Sequence, residues 1–218
     1  MSEHIFNQWD HLPINLAAEQ IANPLIAIDD FFSAAWLPEH IEELYKWRKS
    51  ILESNFFVDA KGSPVSLLTA YKNNLKLIEA AYLINAAYKN GYYSYSVAIS
   101  KSAEQLTDEK QKWSHFPTLL NEVELMNPLA VIEDLFNAFS LPEYREQLDE
   151  WLENGLSNQS ADKWMESSKI ISVYENLQEL YGAAWLIYQR LSDDPYLKQD
   201  KTVADVVNIQ VSSQLPAP

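Results

Sequence analysis

Two histidines stand in the same local frame, Trp9-Asp-His11-Leu-Pro13 and Trp113-Ser-His115-Phe-Pro117. Imidazole changes charge near neutral pH and binds metals through either ring nitrogen. A repeated Trp-x-His-x-Pro could therefore supply two general bases or two metal ligands facing one cleft. The pattern also has a purely structural use, in which tryptophan and proline fix a turn while the imidazole packs on the indole and bonds a carbonyl. A metal centre needs three or four converging donors, and no His-Glu-x-x-His or Glu-x-x-His stretch lies beside either histidine. His11 and His115 are candidate metal ligands on this basis alone; no catalytic residue and no cofactor is expected.

Paired carboxylates are the next possibility. Asp29-Asp30 and Glu133-Asp134 could divide general acid and base roles if their environments separated their pKa values. They fall on a regular helix, with Asp30 opposite its apolar stripe, so the spacing predicts solvated carboxylates. Asp30 and Asp134 read instead as parts of an acidic contact surface. Nucleophilic and phosphate chemistry have no carrier: cysteine is absent, and Gly62, Gly91, Gly155 and Gly182, the four glycines, form no Gly-x-Ser-x-Gly elbow and no Gly-rich loop before a helix.

Composition narrows the partners. With 31 acidic against 16 basic residues, the net charge of −15 repels phosphate backbones, so direct nucleic-acid binding is not expected. The longest apolar stretch, Glu79 to Tyr88, is about half of what a membrane span needs. The first residues lack the basic and apolar regions of a secretory signal, which makes the cytoplasm the expected location. Seven tryptophans and twelve tyrosines supply core and contact area, and Tyr92, Tyr93 and Tyr95, just beyond a helix end, form the expected aromatic contact patch.

The elements that must position these residues come from an internal repeat. A shift of 104 positions superposes residues 9–52 on 113–156 without gaps, with roughly 18 identities in about 44 positions. Among them are Asn23-Pro24-Leu25 with Asn127-Pro128-Leu129, Leu37-Pro38-Glu39 with Leu141-Pro142-Glu143, and Trp47 with Trp151. At a shift of 103, Tyr71, Asn73, Leu77, Ala80-Ala81 and Leu83-Ile84 meet Tyr174, Asn176, Leu180, Ala183-Ala184 and Leu186-Ile187.

The implied fold is all-α: two tandem helical units of three to four helices each, related by duplication. The units span 1–100 and 113–218, with a linker helix at 101–112. After the aromatic and histidine turn, proline following an N-cap starts the first helix of each unit, and Leu-Pro-Glu starts the second, where glutamate meets the positive end of the helix dipole. Gly155 reads as a C-cap. Longer helices follow over Leu67 to Asn90 and Asp162 to Leu191, and the β-branched runs near 92–99 and 205–212 predict short strands at most.

The expected function is a non-enzymatic helical module that binds a protein partner, a basic one included, through the groove where the units meet. Two alternatives stand beside it: an enzyme or metal-binding protein using His11 and His115 at that groove, and an acidic DNA mimic that inhibits a basic nucleic-acid-binding protein.

Overall fold

The computed structural model describes residues 8–53, 64–91, 99–156 and 166–192. These residues are mostly helical and contain no strand; the predicted strands lie outside them, apart from residue 99, as do Tyr92, Tyr93 and Tyr95. No helix among them is long and apolar enough to cross a membrane.

A 3-10 turn, Gln8–His11, leads into α1 (Ala18–Ala22), α2 (Leu25–Ala34), α3 (Leu37–Leu52) and α4 (Pro64–Lys89). After α5 (Ala103–Lys112) come α6 (Glu122–Met126), α7 (Pro128–Ala138), α8 (Leu141–Leu156) and α9 (Ser167–Ser192). The third residue of four helices reaches back to the N-cap amide at positions that a shift of 104 residues pairs. Ala17 N–H donates to Gln20 (2.9 Å) and Asn121 to Glu124 (2.7 Å); Trp36 donates to Glu39 (2.7 Å) and Ser140 to Glu143 (2.7 Å). Only Asn121 adds the reciprocal half, its Oδ1 accepting from the amides of Val123 and Glu124. Alanine and tryptophan cannot do this, so α1 and α3 keep half of the device.

The corner between the second and third helices is also tied at aligned positions. His40 Nε2 lies 2.9 Å from the carbonyl of Phe31, and Tyr144 Oη donates to the carbonyl of Leu135 at 3.1 Å. Both carbonyls lie in the last turn of the preceding helix; the Leu135 carbonyl also accepts from the Phe139 N–H at 3.2 Å, so the tyrosine adds a second bond there.

The long helices exchange sides. α4 packs on α1 and α2 of its own half but also on α7 and α8, and α9 packs on α6, α7 and α8 but also on α2 and α3. One apolar cluster runs through both halves as a result. At its centre α3 meets α8, where the fully buried Trp47 and Trp151 touch edge to face with centroids 5.4 Å apart. Gly155 lies within α8 rather than capping it: a Cβ there would stand 2.7 Å from Leu67 Cδ2 and 3.4 Å from Trp47 Nε1. Glycine is there because α3 and α4 press against that turn.

Candidate functional site

The turn before α1 is held to the opposite half by one arginine. Arg145, on α8, directs Nε (3.0 Å) and one terminal nitrogen (2.5 Å) to Glu79 Oε1, and that same terminal nitrogen also bonds the carbonyl of Leu12 at 2.5 Å. Its other terminal nitrogen bonds the carbonyl of Asp10 at 2.6 Å. Glu79, fully buried on α4, further accepts from the backbone N–H and the side-chain amide of Asn15, both at 2.7 Å. Burying a carboxylate is tolerated only when its charge and lone pairs are met in this way.

Beside this node opens a cleft of about 410 Å³. Asp10 and Ile14 form one wall, and the outward face of α8, from Pro142 through Glu146, Asp149, Glu150 and Glu153, forms the other. Helical spacing explains the second wall, since residues three and four apart share a face. The positive charge of Arg145 is paired with Glu79, and Lys169 also acts on Glu150. Glu150 shows the strain: burial, followed by repulsion from Glu146, holds its carboxyl above the usual carboxylate range. Tyr71 donates its hydroxyl to Asp149, and burial with that carboxylate pushes the phenol above its ordinary range.

The face of α3 aligned with this wall has diverged. Glu146, Asp149, Glu150 and Glu153 correspond to Glu42, Tyr45, Lys46 and Lys49. There Lys46 pairs with Glu42 at 3.2 Å and Lys49 with Glu53 at 3.9 Å, so that surface carries no comparable run of like charge.

The residues expected from sequence are dispersed. His11 ends the 3-10 turn that packs on α8, whereas His115 sits edge-on to Trp36 at the start of α3, 5.5 Å between centroids. No group of three metal-capable side chains forms among the described residues. Asp30 is exposed on α2 and accepts from Gln20 Nε2 at 2.7 Å; Asp134 is exposed on α7. Neither lines the cleft. Sequence reasoning passed over Glu79, Arg145 and the α8 carboxylates. A signal was present: the repeat aligns Arg145 with Ile41 and Glu79 with Gly182, charges set against apolar or absent side chains. Compared with known protein families, curated proteins and solved structures, the chain matches none of them.

Proposed function

We propose that this chain is a tandemly duplicated helical scaffold that binds a basic segment of a protein partner in the acidic cleft between its halves. The observation that carries this reading is the cleft itself, a concavity of about 410 Å³ into which five carboxylates converge while its one guanidinium is already engaged. A Lys- or Arg-bearing segment relieves the repulsion felt by Glu150, and Ile14, 71% exposed at the rim, adds an apolar contact. The aligned face of α3 is charge-balanced, so the run of carboxylates on α8 is not a general property of the repeated helix, which supports a selected surface. Duplication is supported by the sequence identities, by equal lengths of α3 and α8 (16 residues) and of α4 and α9 (26 residues), and by the matched caps and corner bonds.

A labelled amphipathic Lys/Leu peptide tests the reading by fluorescence anisotropy at low salt. Replacing Glu146, Glu150 and Glu153 by glutamine should weaken binding about tenfold or more, with a flatter salt dependence. Asp30→Asn with Asp134→Asn should leave binding nearly unchanged. Equal affinity of the cleft variant and the wild type would overturn the assignment, as would an equal loss in the remote variant.

A further inference from the structure

We propose that the corner between α2 and α3 is an acid-sensitive joint, built on a buried His40 where the second half uses Tyr144, so that acidification loosens the first half ahead of the second. The imidazole is only 5% exposed, lies flat on Phe31 with centroids 3.8 Å apart and planes 19° apart, and bonds the Phe31 carbonyl at 2.9 Å. Phe32 meets it edge-on from α2 and Tyr181 from α9. Tyr181 is itself neutral and committed, its hydroxyl donating to Asn74 Oδ1 on α4 at 2.6 Å.

The groups facing the ring divide in their effect. Burial opposes the imidazolium and is the largest influence; the carbonyls of Phe31 and Ala35 and the Glu39 carboxylate favour the cation, and the net displacement is downward. The face of Phe31 also favours a cation, though weakly beside the cost of burial. From α9 the nearest titratable group is the Tyr181 phenol, and Glu43 acts on that phenol. Tyr144 makes the corresponding bond to Leu135 with a hydroxyl that burial pushes further from neutrality, so the second corner holds its protonation state through the physiological range.

The sign follows from linkage. A histidine whose folded pKa is lowered leaves the unfolded chain binding the proton more readily. Its contribution is intact above the ordinary histidine value of about 6.5 and is lost as pH falls below it toward the folded value. Glu150 and Glu179, whose carboxyls are raised, act in the opposite direction. A fall in stability on acidification therefore has to overcome them.

Urea unfolding between about pH 7.5 and about pH 5.5 tests the proposal, because one proton changes the unfolding constant by at most about tenfold per pH unit. The wild-type midpoint should fall on acidification, and His40→Gln, which keeps a side-chain donor but does not titrate, should lose most of that fall. Hydrogen exchange, corrected for intrinsic rates, should show amides of residues 25–52 losing protection at acid pH before those of residues 129–156. His40 ring resonances of the wild type should titrate below the ordinary histidine range, a readout independent of whether any variant folds. An ordinary or raised His40 titration, an unchanged pH slope in His40→Gln, or equal loss of protection in both halves would each overturn the proposal.

Discussion

The indole Nε1 of Trp47 donates to the backbone carbonyl of Trp151 at 3.1 Å, whereas Trp151 Nε1 has no hydrogen-bond partner among the described residues. Two tryptophans 104 positions apart in sequence thus meet at the centre of the molecule in unlike roles. Trp47→Phe removes both ring area and a hydrogen bond, while Trp151→Phe removes ring area and relieves a buried donor. Both variants should be destabilised, Trp47→Phe by about 1 kcal/mol more, as read from urea midpoints at constant m.

At Gly155, helix propensity and packing oppose each other. Alanine is favoured over glycine in a helix interior by about 1 kcal/mol, but the new methyl would meet Leu67 Cδ2 at 2.7 Å in a fully buried setting. Gly155→Ala should destabilise despite the propensity gain. The same change in a Leu67→Val background should cost less, a coupling that a double-mutant cycle measures.

Arg145→Ala leaves Glu79 buried without its countercharge and frees the carbonyls of Asp10 and Leu12. The expected cost is about 3–5 kcal/mol in thermal or urea unfolding. Replacing both partners, Glu79→Leu with Arg145→Leu, should cost less than Arg145→Ala alone, because no charge is then stranded. Limited proteolysis should cut residues 10–15 first in Arg145→Ala.

Glu150 couples stability to binding. With its folded pKa raised, its contribution is fully present below the unfolded carboxylate value and lost as pH rises through the folded one. Glu150→Gln should therefore stabilise the protein near pH 7 and change little near pH 3, a crossover visible in thermal melts. The same substitution should weaken the Lys/Leu peptide, so stability and affinity should move in opposite directions.

Helix class and the starts of α2, α3, α7 and α8 were legible because they depend on interactions across three or four residues, whereas the five-residue helices α1 and α6 were too short to show an apolar period and were missed. The apolar period in 25–35, the Leu-Pro-Glu starts, Pro128 at the first position of α7 and the Ser102 cap of α5 all act within one turn. The charged residues of the cleft wall were visible too, as a helical face between 146 and 153, but nothing local distinguishes it from a solvated surface.

The linear pattern, then, determined the longer helices and their apolar stripes, since backbone geometry and burial periodicity are local. Tertiary structure alone decided that α4 and α9 cross into the opposite halves, that Glu79 lies at zero exposure beneath Arg145, and that Asp10 faces α8 across a cleft. Those relations join residues 64 to 135 positions apart, where close packing and the pairing of a buried charge choose among arrangements that helix-forming propensity leaves equivalent.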